Sequence, residues 1–568
     1  MIESFSFEKG INIKKDRLFL EQGELYSCSG FNLDVDGRLE TREARQQSYL
    51  ISSDPSSSIN GIHRFDEDVY SSSRMLCPGR QSYFNNIYHR AVDGTTYTRL
   101  DLLAGNIRPC FADYEVFVFV ADGGSRRAYI GARDYEWGIK NPVNPPAIVQ
   151  GAGGNPDGEY NCYYTYYIRF PNDKYVETGP SPVSTITVAS AQVYWQRIPS
   201  CPYEGAGLTV MRRLYRTVSG VIYLVTTVPD NTTGVYSDNV TDATLQLSPI
   251  LGTEGYTTPP DYITDLEIYL QRVFAIKKNK LYWSEAYSPF SFKNTSDITV
   301  TKEDEDLVSV INWGDQLYLV STEQWYRLQG NNPDTWAIKR TFTDSGIVNK
   351  YTLKHTKYGL IGLWNDGIYM FDGSINKNIT ELKLGTSFFK DLDDLSVCYA
   401  EFDGGKYYLY YASSGTTLDS CLVIDFAYFP EIRLYHTNFI PSAYKLYKPT
   451  NTPYFTKNRY EWTTGGTETI PIGLSSGDKA FGAIMKRKCL DYLYYDIDTN
   501  GQDVDVDIYV DDENVQTLTL NTSSRTRKRS QKLKAAEGYR FRLDLNADNA
   551  QDMVIYSPWA LESTPVGE

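Results

Sequence analysis

Six basic side chains crowd one short stretch of this chain: Arg525, Arg527, Lys528, Arg529, Lys532 and Lys534, in SSRTRKRSQKLK. Guanidinium and ammonium groups at that density pair with phosphate oxygens or carboxylates. The chemistry on offer is contact with DNA or with an acidic neighbouring subunit, set against a plain solvated hairpin. Just upstream, QDVDVDIYVDD puts Asp503, Asp505 and Asp507 on one face of a strand and Val504, Val506 and Ile508 on the other. A cation could sit on such a row. Side chains two apart along a strand diverge from one centre, however, so a solvated acidic face is the expectation. Asp34 and Asp36 offer a poorer calcium pattern, because no further Asp, Asn or bidentate Glu follows at the loop spacing.

Other reactive residue types are dispersed. His63 and His89 have no partner at ligand spacing and read as structural. The eight cysteines (Cys28, Cys77, Cys110, Cys162, Cys201, Cys398, Cys421 and Cys489) form no CxxC pair, so reduced, buried thiols are expected rather than a zinc cluster. No GxSxG elbow, P-loop or HExxH motif is found. No enzyme, no cofactor and no metal is the expectation.

The net charge of −15 argues against a general nucleic-acid binder, whose affinity comes from Lys and Arg on phosphates. It leaves room for DNA that must slide past, since a weakly repulsive wall offers no sticking points, although ordinary solubility explains it as well. MIESFSFEKGINIKKD lacks an apolar leader core, and no run approaches the roughly 18 apolar residues of a membrane span. No membrane span and synthesis in a bacterial or host cytoplasm are expected.

These residues need elements to position them, and the pattern of those elements is repetitive. QLYLVS and EQWYRLQG, two apolar runs joined by a tight turn, are followed by the same pattern in YGLIGLWNDGIYMFDG. Leu317, Leu319, Ile361 and Leu363 alternate, and the positions between them are also apolar or aromatic, which predicts strands covered on both faces. The second turn, Asn365-Asp366-Gly367, places a glycine where a primed hairpin needs positive φ. Phe274 to Leu317 is 43 residues, Leu317 to Ile361 is 44, Ile361 to Tyr408 is 47, and Tyr408 to Tyr454 is 46. That is the repeat length of β-propeller blades. With 47 Tyr among 568 residues and no sustained period of 3.6, an all-β chain with little helix is predicted.

Around the repeats, four regions are predicted. Residues 1–144 hold an N-terminal segment and first blades, with turns at Asp36-Gly37, Asp93-Gly94 and Asp122-Gly123. The Pro/Gly-rich NPVNPPAIVQGAGGNPDGE, 141–159, reads as a linker, and an inserted β-sandwich is expected over 145–257. The main propeller repeats fill 258–466, and a C-terminal β-sandwich spans 467–568. Asn231 and Asn239 sit in Asn-x-Thr/Ser sites, which carry no meaning for glycosylation without a leader.

Several strings carry a resemblance. Gly10, Ile11, Asn12, Leu20, Gly23, Glu24, Asn32, Asp36, Gly37, Leu39 and Arg42 follow an order similar to the opening of propeller proteins from short-tailed phage tails. The chain departs from it at Glu43-Ala44, where that family has a small residue or Pro and then Gly. ETGPSP followed by RRLYRT resembles fibronectin type III modules inserted into such propellers. Gly346, Gly359, Trp364, Gly367, Ile368, Tyr369, Phe371 and Gly373 match the family's "GIY.FDG" string. The whole resembles the tail nozzle, or tubular, proteins of short-tailed (podovirus-type) bacteriophages.

The resemblance implies a structural virion protein in the phage tail, made in the host bacterial cytoplasm. It would be a homo-oligomer, a hexameric ring below the portal and adaptor that touches other tail proteins. The channel would retain the genome and guide its ejection, with transient contact to phage DNA and an acidic lumen. Two alternatives stand beside it. One is a receptor-binding adhesin. The other is a propeller glycosidase on surface polysaccharide, which would need paired carboxylates, brought together by folding, that a linear reading cannot see. The Ser-x-Asp-x-Gly-x-x-Trp box of sialidase blades is missing, with SGDKAFGAI around Asp478 a distant echo.

Overall fold

The computed structural model describes residues 1–33, 37–42, 109–203, 205–416, 418–437, 469–482 and 485–566 in full. The strands Ala44–Gln47, Ile59–Phe65, Asp68–Leu76, Tyr83–Ala91, Thr98–Leu103, Tyr454–Phe455 and Tyr460–Thr463 are described by their backbone. The expectations for Asp34, Asp36, Glu43, Cys77, Asp93-Gly94 and the side chains of His63 and His89 fall outside the described residues.

Strands dominate. Among the described residues the α-helices are Asp242–Leu245 and Ser387–Lys390, each of four residues, so the expectation of an almost all-β chain holds. The repeats fold as successive antiparallel four-strand meanders. Those over 110–136, 265–299, 307–340, 354–378 and 399–437 are called here the first to fifth meanders, and the strands of 59–103 pair in the same order ahead of them.

The period-2 pattern explains how these sheets stack. On Gln316–Ser321, Leu317 and Leu319 pack with Phe274, Ile276, Leu281 and Trp283 of the second meander. Tyr318 and Val320 of the same strand face the other way, into a core with Trp325, Leu360 and Phe371. On Leu360–Trp364 the rule repeats: Leu360 joins that core, while Ile361 and Leu363 join the one containing Tyr407 and Leu409 of the fifth meander. Each sheet is therefore buried on both faces, and successive side chains read out the preceding and following neighbours. Fully burying such side chains contributes about 2 kcal/mol each.

Turn chemistry follows the sequence in part. Gly123 has φ +78°, and the Asp122 carboxylate accepts from Ser125 N at 2.7 Å and Gly124 N at 3.2 Å. Gly37 has φ +79°. Gly367 differs from expectation, because it pairs with Trp364 as the first residue of a strand and is not among the positive-φ glycines. Its glycine is a matter of space: a Cβ there would strike the Asn378 side-chain amide.

Between the first and second meanders, residues 147–238 form two sheets. One is ordered Ala147–Gly153, Ala191–Arg197, Tyr236–Asp238; the other contains Gly158–Arg169, Thr209–Val218 and Val221–Val228. Arg216 reaches from the second sheet to Asp238 of the first (2.8 Å), with both side chains 0% exposed.

The N-terminal segment does not join the first meander. Ile2–Phe5 pairs with Trp559–Pro565, and Glu24–Ser29 pairs with Ile472–Ser476, so both ends of the chain share two sheets. A parallel link between Ser29 and His436 continues the fifth meander into this terminal body. There Val504, Val506 and Ile508 are fully buried while Asp505 is exposed, as the alternation predicts. The short Tyr454–Phe455 and Tyr460–Thr463 hairpin pairs with Ala44–Gln47, a partner the repeat spacing does not announce.

Candidate functional site

The first strands of the first three meanders, Cys110–Tyr114, Asp265–Tyr269 and Leu307–Trp313, lie side by side. What they carry is gathered between them. Asp265 and Glu267 stand two apart on one strand and so share a side. The Asp265 carboxylate accepts from Ser309 Oγ at 2.7 Å and Val310 N at 3.1 Å. Lys350, in the 3-10 turn Lys350–Thr352, brings Nζ within 3.5 Å of Asp265 Oδ1 and donates to the Thr264 carbonyl.

Glu267 receives Ile268 N on Oε1 at 2.9 Å. Burial pushes its carboxyl up to about 7 against the backbone hydrogen bonds of Ile268 and Asn312, with Asp265 and Asp113 adding to the rise. Burial opposes the charge of Lys350, but the surroundings of Cys110, Tyr351 and Asp265 outweigh it, and the amine stays protonated. Farther round, Glu401 of the fifth meander accepts from Lys354 Nζ at 3.3 Å and from the Tyr399 hydroxyl. A carboxyl that titrates near neutrality beside other carboxylates has the proton-transfer capacity of a general acid or base. Asp265 with Lys350 and Glu401 with Lys354 also serve as ion pairs between neighbouring elements.

The basic stretch is divided by the fold. Thr526–Arg529 is a strand on the edge of Lys488–Asp498. Arg525 binds the Asp496 carboxylate with two hydrogen bonds, 2.9 and 2.7 Å, and lies over the Tyr556 ring. Arg529 lies 4.2 Å over Tyr492, and Lys532 is 3.9 Å from Asp491. These cations are partly committed to their own sandwich. Arg527, Lys528 and Lys534 are exposed and project from the same edge region.

Other candidates resolve into structure. Asp503 accepts from Asn521, Asp505 from Thr519, and Asp507 from Thr517 and Asn514, so the acidic row is tied laterally rather than converging. Asp478 is buried beside Arg540 (3.6 Å) and Arg542 (3.7 Å), which makes the sialidase-like echo an internal ion network. Asn231 and Asn239 bond to Cys201 and Asn155 backbone groups. Seven cysteines are free thiols, five of them buried. Among the described residues no group of three or more His, Cys, Asp or Glu is placed to hold a metal, and no helix is long and apolar enough to cross a membrane.

The sequence reading missed Asp113, Asp265, Glu267, Lys350 and Glu401. The one local signal was D-x-E at the start of a repeat, and only the stacking of first strands gives it partners.

No family model and no curated relative matches the chain. Solved structures that match include Sqt1 from Chaetomium thermophilum (10% identity, 74% of this chain and 100% of that one, TM-score 0.28). An exo-β-1,3-galactanase from Phanerochaete chrysosporium matches at 8% identity over 91% of this chain and 100% of its own, TM-score 0.20. A glycoside hydrolase family 43 arabinoxylan arabinofuranohydrolase from Bacillus subtilis matches at 9% identity over 92% and 97%, TM-score 0.15. The expectation that the chain is not an enzyme is corrected here, since glycoside hydrolases stand among the matched structures. At such TM-scores none of these likenesses transfers an activity.

Proposed function

We propose that the five meanders are blades of a β-propeller, that 147–238 is a fibronectin-like insertion, and that the chain is a ring-forming structural subunit of a short phage tail. The observation that carries this reading is the role of the resemblance residues in locking one blade to the next. Trp364 Nε1 donates to the Thr322 carbonyl of the preceding meander at 2.8 Å, and Phe371 stacks on Trp325 at 4.4 Å. Gly346 leaves room for the Ser321 carbonyl. Rigid blocks with short, protected edges suit a closed ring built on one repeated interface.

On this reading the genome's path runs between copies of the chain, not through one propeller. Arg527, Lys528 and Lys534 are the side chains free to meet a neighbouring subunit or DNA. Mass measurement on the purified chain tests ring formation, and location of the chain on the virion tests the tail assignment.

A second reading, a propeller glycosidase, is favoured by Glu267. A carboxyl held near 7 with Asp265 and Asp113 close by is suited to protonating a glycosidic oxygen. Hydrolysis of surface polysaccharide that vanishes in Glu267→Gln establishes it; no hydrolysis by the wild type removes it.

A further inference from the structure

Away from the inner strands, a cavity of about 490 Å³ opens between the second meander and the loop that follows Trp325–Gln329 in the third. Its volume is within the usual range for small-molecule sites. Strand Lys280–Glu285 contributes Trp283 and Glu285, and strand Ser288–Thr299 contributes Lys293 and Asp297. The loop contributes Asp334 and Trp336.

The walls are prearranged. The two indoles meet edge to face at 4.9 Å, and Trp336 also packs on Phe274 at 5.2 Å. The loop is held by the Asn332 side chain, whose Oδ1 accepts from Asp334 N at 3.1 Å and Thr335 N at 3.2 Å. Trp336 is 8% exposed, yet its Nε1 has no hydrogen-bond acceptor. A buried donor left unsatisfied carries a desolvation penalty, which an incoming acceptor relieves.

Among the lining residues Glu285, Asp297 and Asp334 outnumber Lys293, and the adjoining Arg272 and Lys280 bring the charge to balance. Glu285 is 3.1 Å from Lys293 and 3.8 Å from Arg272, and Asp297 is 2.6 Å from Lys280, while Asp334 stands exposed at the rim. Paired charges of both signs give an ionic ligand little net attraction but supply acceptors and donors to hydroxyl groups. Indole edges beside them are electropositive and suit hydroxyl or ring oxygens of a sugar. We propose that this cavity is a saccharide-binding site, recognising a neutral sugar through its hydroxyls and through an oxygen that accepts from Trp336. The proposal does not rest on the ring or on hydrolysis: strand Arg272–Lys277 separates Glu267 from the cavity's nearest strand, Lys280–Glu285.

The test is saturation-transfer NMR on the full chain with glucose, galactose, N-acetylglucosamine and maltotriose, with phosphate and glycylglycine as charged controls. Binding of at least one sugar at millimolar concentration is expected. Trp336→Phe, which keeps the ring and removes the donor, should weaken it about tenfold, the worth of one hydrogen bond. Asp334→Ala, an exposed loop change that leaves folding intact, should also weaken it, and the distant Lys528→Ala should not. The proposal is overturned if no sugar binds, if the Trp336 and Asp334 variants bind as tightly as the wild type, or if the charged controls bind as tightly as the sugars.

Discussion

Lys350 Nζ lies 3.5 Å from Asp265 Oδ1, joining the turn ahead of the fourth meander to the first strand of the second, past the intervening third. One ion pair thus spans three consecutive sheets at their inner edge. Both side chains are largely buried, so removing one partner leaves the other charge uncompensated. Lys350→Ala is expected to cost about 3 kcal/mol, and Lys350→Met with Asp265→Asn to recover most of it. Denaturant unfolding of the two variants beside the wild type checks this.

Glu267 makes stability depend on pH. Its carboxyl titrates near 7 in the fold against an ordinary 4.5, so folding favours the protonated form. Below the ordinary value the group is neutral in both states and costs nothing. As pH rises from 4.5 through 7 the unfolded chain ionises first and stability is lost. Glu267→Gln should therefore raise the melting temperature little at pH 4.5 and more at pH 8, where the gain reaches ~1–3 kcal/mol. An equal gain at both pH values would show that the carboxyl is not displaced.

His436 acts in the opposite range. Burial pushes its imidazole down to about 4 from 6.5, beside Tyr411 Oη at 3.1 Å, at the point where the fifth meander joins the terminal body. The stability it confers is present above 6.5 and is lost as pH falls toward 4, by up to ~3 kcal/mol. His436→Gln should flatten the acid limb of a thermal-stability profile between those values.

Two glycines separate space from backbone freedom. Gly346 lacks positive φ, but a Cβ would meet the Ser321 carbonyl and the Thr322 backbone. Gly404 has φ +57° and open surroundings. Gly404→Ala should cost about 1 kcal/mol and Gly346→Ala distinctly more, read from urea midpoints.

The unpaired part of the basic edge separates folding from assembly. Replacing Arg527, Lys528 and Lys534 together with Ala should leave the melting temperature of the chain unchanged while weakening ring formation, and less so at high salt, where the wild-type contacts are screened as well. Sedimentation velocity of the variant beside the wild type provides the readout.

What was legible in the sequence was local. Alternation in Gln316–Ser321, Leu360–Trp364 and Val504–Val510 announced strands and their buried faces, because the period of a pleated strand is written in consecutive residues. What was not legible depends on strands far apart in the chain. Nothing in Ile2–Phe5 names Trp559–Pro565 as its partner, and nothing in Asp265-Leu266-Glu267 names Lys350. Gly367 was misread because a glycine can answer a neighbour's bulk as well as a turn's dihedral. The basic run was visible as composition, but its division into Arg525, held by Asp496, and the exposed Arg527 and Lys528 required the strand pairing.

The most direct test of the proposed role is the mass and shape of the assembled protein, by mass photometry of the purified chain and microscopy of the virion. The account predicts a closed ring of roughly six 64.6 kDa chains, located on the tail axis, with the passage between subunits. A stable monomer of 64.6 kDa with no axial density on the virion would contradict it.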